Sequence, residues 1–473
     1  MSDSGDTNSL LRRSVYGILI ALAVGTMLGH ILAVNSVDAI QLESHLHRQG
    51  RKDWQRQRPF LSANDRSRLA TLRSLVEHGT YEIDLIVAQP GWDTIDMVKH
   101  RGRDGQEHFY SSKPPLLTTL MAGPYFLIER TTGATLGDYP YEVGRTLLVL
   151  LNVVPMVIYF LVLAQLCERV GTSDWGRIFV MAAATLGTFL TTFAVTINNH
   201  TPAATCIAIA VFAGVRIWYD EERRTRYFLL AGFFAAMSVA CELPALSFCA
   251  LLGAALLWKA PRETLLGYVP AALLVAVAAL ATNYIAHNDL RPPYMHRGRS
   301  DPADNWYDYT YMRDGRVRES YWNNPVGVDR GEPSLAKYAL HATIGHHGVF
   351  SLTPVWLLSA WGVVLLGRER RFRELAVMIS LLSLVCLTFY ILRPQADRNY
   401  GGMTSGFRWM FWFAPLWLVA MLPAVDRLSR SRIGRGIALV LLALSVLSAS
   451  YPTWNPWTHP SLWNWVAYLG WTP

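Results

Sequence analysis

A chain of 473 residues that is 52% hydrophobic and only 16% charged, with 17 tryptophans, has the composition of a polytopic helical membrane protein rather than of a string of soluble domains. The net charge of +8 does not point to nucleic acid, because the basic residues sit mainly in short loops between apolar runs, where they orient a protein in its membrane. All five cysteines (Cys167, Cys206, Cys241, Cys249, Cys386) lie in or beside apolar runs, so the long polar loops carry no disulfide framework.

Arg12 and Arg13 precede the first apolar run, 15–34, and place the N-terminus in the cytoplasm. That run is long enough to remain as a span, and no small-residue cleavage site follows it. The stretch 35–144 is then an outer loop. Its own apolar piece, LLTTLMAGPYFLI, has only about 13 residues and a Gly-Pro break, so it is expected to lie in the interface rather than cross. Parity supports this reading. The loops carrying Arg169 and Arg177, then Arg223, Arg224 and Arg226, then Lys259 and Arg262, then Arg368 to Arg373, then Arg427 to Arg435 all fall inside only if that piece does not span.

Further spans are expected at 145–166, 178–197, 202–218, 227–241, 243–258, 264–286, 347–366, 374–392, 408–425 and 434–450, a total of eleven with the C-terminus outside. A second outer loop, 287–346, is rich in Tyr, Trp, Asp and Arg, and the Trp-rich tail 451–473 suits the outer interface. The fold class is therefore an all-α polytopic membrane protein. Residues 1–450 form one transmembrane domain, and the two long extracytoplasmic loops carry juxtamembrane helices.

The chemistry concentrates in the first loop. Ser62 and Asp65 form an S-x-x-D pattern ahead of apolar Leu69, Leu72, Leu75 and Val76, with Gly79 following; the spacing predicts a capped amphipathic helix with a glycine stop. Asp65 has two readings, an acid satisfying free N–H groups in a first helical turn or a catalytic or metal-binding carboxylate. WDTID supplies Asp93 and Asp96, either a pair for acid–base or metal work or solvated loop acids. Lys113-Pro114-Pro115 fixes an extended, cationic turn.

Arg68, Lys113, Arg145, Arg393, Arg398 and Arg408 stand near the outer face, against the orientation rule, so they need another reason to be there. Phosphate oxygens suit arginine's planar fork; ion pairs with Asp397 or Glu142 are the simpler account. NYGGMTSGFRW leads Arg408 into a span, as an anion site or as a flexible entry loop. His341, His346 and His347 lack the companion ligand spacing of a zinc site. His200 and Glu242 lie at outer turns, where either could contact substrate, and a part in ending the helices is the simpler reading of both. No Walker, G-x-S-x-G or Rossmann pattern occurs.

Taken together, these segments resemble the GT-C superfamily of integral-membrane glycosyltransferases, in the branch of protein O-mannosyltransferases, lipid A aminoarabinose transferases and RgtA/B/C/D-like bacterial enzymes. Asp65-Arg66-Ser67-Arg68-Leu69-Ala70 is similar to that family's D-E-x-R-Y-A motif at its Asp, Arg and Ala. Lys113-Pro114-Pro115-Leu116 matches its K-P-P-L, and Arg145 matches its Arg opening the second span. NYGGMTSGFRW resembles a late G-G-x-x-x-G-x-R-aromatic segment.

The resemblance implies an inverting transfer of a sugar from a polyprenyl-phosphate donor to a lipid, glycan or protein acceptor on the outer face of a bacterial plasma membrane. Asp65 is then the general base, while Lys113, Arg68, Arg145 and Arg408 hold the lipid phosphate. No cofactor follows with certainty, and a divalent metal stays open. The family's Glu is Arg66 here and its Tyr is Leu69, so a role needing two acids falls to Asp93 or Asp96 for the second. A transporter or flippase of a lipid-linked sugar is the alternative; neither internal repeat nor mid-span ionisable residue favours it.

Overall fold

The computed structural model describes residues 3–34, 62–298, 304–313, 315–452 and 455–470, with side chains from residue 8 onward. The start of the first outer loop (35–61), residues 299–303 of the second and the last three residues of the tail lie outside the described residues.

Among the described residues, eight helices are long and apolar enough to cross a membrane: Asn8–Ala33, Pro140–Val170, Asp174–Val195, His200–Trp218, Pro261–His287, Arg370–Ile391, Arg408–Leu428 and Arg432–Ser450. The chain is thus an integral membrane protein by helix length and composition. Three further apolar helices, Thr225–Cys241, Leu243–Lys259 and Trp356–Arg368, are shorter. Each of the eleven expected runs falls on one of these helices, so eight have the length to span and three do not reach it unaided. Proline shapes two of the long ones. Pro155 and Pro270 each follow a π-helical turn, Val149–Val153 and Thr264–Tyr268, where the missing N–H interrupts the regular ladder.

The inner layer of the bundle is the pair Asp174–Val195 and His200–Trp218 with Arg408–Leu428, whose residues are almost all buried. At the end of the bundle where the first span begins, Arg12 pairs with Glu168 at 2.5 Å and also with Asp174, and the Tyr16 hydroxyl donates to Glu168 at 2.8 Å. Asp426 accepts from the backbone and hydroxyl of Thr172 (2.7 and 2.8 Å) and of Ser173 (3.0 and 2.5 Å).

On the opposite side lies helix Ala63–His78. Ser62 caps it, its Oγ accepting from the N–H of Asp65 at 3.3 Å, and Gly79 ends it at φ 72°. The predicted interfacial piece is part of a longer helix, Pro115–Thr132, 18 residues with Pro124 inside and Gly133 at its end. Its polar ends, Glu129, Arg130 and two threonines, lie beyond the apolar run that the sequence displays.

The outer loops carry β-structure that apolar runs did not reveal. Met97–Arg101 pairs antiparallel with Glu107–Ser111, and Thr310–Arg313 with Arg316–Glu319. The first hairpin is clasped by the second outer loop. The Lys99 N–H donates to the Trp306 carbonyl at 3.0 Å, Tyr309 Oη to Met97 O at 3.2 Å and Trp322 Nε1 to Ile95 O at 2.9 Å. The His100 ring stacks between Tyr110 and Trp306, with centroids 4.2 and 4.0 Å away, and its Nε2 is 3.1 Å from His287 Nδ1. Burial lowers the His100 ring to about 4, so it is neutral at ordinary pH.

The topology is open to direct measurement. Single cysteines placed near Gly105 and Asp304 are expected to react with an impermeant thiol reagent on intact cells, and one near Arg370 is not. The native cysteines are buried or half-buried, which keeps the background low. Labelling at 370 with protection at 304 would invert the orientation.

Candidate active site

Helix Ala63–His78 begins under the connection between two spans, and Asp65 makes the joint. Its side chain is 0% exposed. Oδ1 accepts the N–H of Ile197 at 2.6 Å; Oδ2 accepts the Ser62 hydroxyl at 2.6 Å and the Trp457 indole N–H at 3.2 Å. Burial raises its pKa, while Ser62, the Ile197 amide and the charges of Arg68 and Arg66 pull the other way.

One turn later Arg68 projects from the same helix, 5% exposed. Its guanidinium donates to the side-chain and backbone oxygens of Asn64 and, at 3.0 Å, to Asn199 Oδ1. All of these partners are neutral. Burial lowers Arg68 to about 10, against the attraction of Asp65 and Asp96.

Arg408 reaches the same region from the late glycine-rich segment. It donates through Nε to the Gly401 carbonyl at 2.8 Å and through a terminal nitrogen to His200 Nε2 at 2.9 Å, and lies 5.1 Å over the Trp457 ring. These partners too are neutral. Residues 400–402 run through positive φ (58°, 99° and 87°). A Cβ on Gly401 would meet Arg408 Nε at 2.9 Å, so glycine is required both for the turn and for the approach. The N–H groups of Gly401 and Gly402 are used within the loop, on Asn399. The segment therefore serves the site by holding Arg408 rather than by presenting a nest of amides.

Lys113 completes the set. Its Nζ is 3.0 Å from Asp96 Oδ1, and its backbone N–H donates to Ser111 Oγ at 3.2 Å. Ser111 Oγ meets Ser67 Oγ at 2.6 Å, and Ser67 donates to the Asp96 carbonyl at 2.5 Å, which fixes the hairpin end on the helix. Burial lowers the Lys113 ammonium, and Arg68 and Arg408 are near enough to lower it further, against Asp96. Asp96 sits within electrostatic reach of all three cations.

The remaining expected residues stand apart from this cluster. Asp93 faces the second loop, 3.4 Å from Arg313, with Arg66 Nε on its carbonyl at 2.9 Å. Arg145 donates to the Val34 carbonyl at 3.2 Å, at the outer end of the first span, and lies over the Tyr141 ring. Arg393 pairs with Asp397 at 3.0 Å, and Arg398 donates to the backbone of Arg393 and Pro333. His341, His346 and His347 stack with one another and with Tyr400 and Trp463. Among the described residues no group of three or more His, Cys, Asp or Glu side chains is arranged to hold a metal ion. With Arg66 in the place of a second acid, the residues beside Asp65 do not fit a divalent metal.

Two members of the site, Asn199 and Trp457, were not singled out from sequence, and Glu242 was read there as a substrate contact or, more simply, as a helix-ending residue. Glu242 Oε1 accepts Asn199 Nδ2 at 2.7 Å and lies against His200 Nδ1. The only local signals were polar residues (NNH, CEL) at the outer ends of apolar runs. Trp457 is testable. Phenylalanine there keeps the ring but removes the donor to a buried carboxylate, so Trp457→Phe should cost about 1.5–3 kcal/mol, read as a lower melting temperature in detergent. An unchanged melting temperature would remove the tail from the joint.

No protein-family model matches the chain, and no curated protein matches it. Among solved structures, the oligosaccharyltransferase of Archaeoglobus fulgidus in complex with zinc and sulfate aligns at a TM-score of 0.46 and 14% identity, over 96% of this chain and 55% of that one. Oligosaccharyltransferase AglB of the same organism, in complex with an inhibitory peptide and a dolichol-phosphate, aligns at 0.46 and 12%, over 96% and 57%. The apo form of the A. fulgidus enzyme aligns at 0.42 and 13%, over 97% and 57%. The chain spans a little over half the length of these structures, and likeness of this extent assigns neither a family nor an activity.

Proposed function

We propose that the protein is a membrane glycosyltransferase that moves a sugar from a polyprenyl-phosphate donor to an acceptor at the outer face of the plasma membrane. The observation that carries this reading is the pair Arg68 and Arg408. Among the described residues, neither has a carboxylate within ion-pair distance, although one is buried and the other half-buried. A desolvated charge without a counter-charge is costly unless a ligand supplies one. Two planar forks beside a half-buried lysine suit a phosphate.

The lipid part of such a donor has a place to lie. An open groove of about 370 Å³ between helices Leu243–Lys259 and Arg370–Ile391 is lined by Ser247, Ala250, Leu251, Leu381, Leu382 and Val385. Glu242 and Tyr390 stand at the outer ends of the two helices, and both are within electrostatic reach of Arg408. A polyprenyl chain in that groove carries its phosphate toward the arginines.

For the proton we assign Asp96 in preference to Asp65. Both oxygens of Asp65 are engaged, whereas Asp96 uses Oδ1 on Lys113 and, among the described residues, has no hydrogen-bond partner at Oδ2. The acceptor hydroxyl gives its proton to Asp96 as its oxygen bonds to the anomeric carbon. The bond from that carbon to the phosphate oxygen breaks, and the electron pair leaves with the phosphate. Arg68, Arg408 and Lys113 stabilise the charge that develops there.

Purified protein incubated with radiolabelled polyprenyl-phosphate sugars is expected to release label from the lipid. Asp96→Asn should slow release by roughly 10² to 10⁴ while donor binding stays within a few-fold. Asp65→Asn removes one acceptor from the joint and should lower stability, while the folded variant should lose less than about tenfold in rate, because the base is elsewhere. The reverse order of the two variants would return the base to Asp65.

The lysine makes the site sensitive to pH. Only its charged form attracts phosphate, and burial lowers its pKa. Donor affinity should therefore be full below that lowered value and fall as pH rises through it, before an ordinary lysine titrates. Lys113→Arg should hold affinity to higher pH. Wild-type and Lys113→Arg curves that coincide would take the ammonium out of the phosphate site.

A further inference from the structure

The two arginines share one carboxylate at one remove. Glu242, 6% exposed, ends helix Thr225–Cys241 and touches neither guanidinium. Its Oε1 accepts Asn199 Nδ2 at 2.7 Å, and the other end of that amide, Oδ1, accepts Arg68 at 3.0 Å. The same Oε1 lies against His200 Nδ1, and His200 Nε2 is 2.9 Å from an Arg408 nitrogen. A guanidinium only donates, so Nε2 must carry the lone pair and the ring proton sits on Nδ1, toward Glu242. The Asn199 amide is oriented by the same logic, its second donor contact being the Cys241 carbonyl at 2.8 Å.

We infer that Glu242 is a positioning residue for both phosphate-binding arginines, acting through Asn199 on Arg68 and through the Nδ1-protonated tautomer of His200 on Arg408. The neutral relays do what a direct ion pair would not. They hold each fork in place while leaving its charge free for an anion, and the buried acid still lowers the cost of two cations in one desolvated pocket. Asn199 and His200 are adjacent at the head of span His200–Trp218, so a single turn of chain serves both arms. A salt bridge from Glu242 to either arginine would bring an acid into competition with the substrate for the same donors.

The proposal rests on the reading of Arg68 and Arg408 as phosphate ligands, and the experiment separates the two. Binding of a polyprenyl phosphate to the full-length protein in detergent is measured for wild type, Glu242→Ala, Glu242→Gln, His200→Leu and His200→Gln. Glutamine at 200 can accept from Arg408 through its oxygen and donate to Glu242 through its nitrogen, so it preserves the order of the relay; leucine cannot. Glu242→Ala and His200→Leu are expected to weaken binding about ten- to a hundredfold. His200→Gln should recover most of the affinity lost in His200→Leu, and the double variant Glu242→Ala/His200→Leu should lose little more than Glu242→Ala alone. If Glu242→Ala does not fold, Glu242→Gln, which keeps the shape and loses the charge, is expected to weaken binding by at least about threefold.

Wild type that fails to bind polyprenyl phosphate would overturn the reading of the site. Wild type that binds, with Glu242 and His200→Leu variants equal to it, would overturn the relay alone. So would His200→Gln as weak as His200→Leu, or fully additive losses in the double variant.

Discussion

One buried carboxylate holds the outer face together. Asp65 brings its own helix, the backbone between two spans at Ile197 and the tail at Trp457 onto two oxygens. Burying a carboxylate is costly in proportion to the hydrogen bonds it fails to make. The three donors meet most of that demand, and they meet it only in one arrangement of three segments far apart in the chain. Once that arrangement is set, much of the site follows. Arg68 sits one turn along the fixed helix. Asn199 and His200 come two and three residues after the fixed amide. Arg408 and Trp457 face each other at 5.1 Å.

On this scaffold the charges are organised by what is withheld. Several charged groups outside the cluster meet an opposite charge directly, as Arg12 meets Glu168 and Arg393 meets Asp397. In the cluster, among the described residues, only Lys113 has a direct carboxylate partner, Asp96. Arg68 and Arg408 are given amide, imidazole and carbonyl acceptors instead. At low local dielectric such a site favours an anion strongly, because the field of the arginines is neither screened by water nor cancelled by a neighbour.

Hydropathy located the membrane helices well, since a run of apolar residues depends on the bilayer and little else. The cap at Ser62 and the stop at Gly79 were equally plain, because both are local. Lys113 and Arg408 stood out through the short patterns around them. What stayed hidden depends on distance along the chain. The Trp457 contact joins residues 392 apart and the Arg408–His200 contact residues 208 apart, which no periodicity records. The four- and five-residue hairpin strands are too short and too polar to break the pattern of a loop. Glu242 and His200 read more simply as helix-end residues than as substrate contacts because each does end a helix; their contact with one another appears only when the two ends meet.

A phosphate as the occupant of the arginine pair is what the proposed chemistry requires. The most direct measurement compares binding of a polyprenyl phosphate and of the same polyprenol without its phosphate to the purified protein at one salt concentration. Phosphate-dependent affinity, at least about a hundredfold above that of the alcohol and abolished together by Arg68→Ala and Arg408→Ala, is the predicted result. Equal affinity for the two lipids would contradict it.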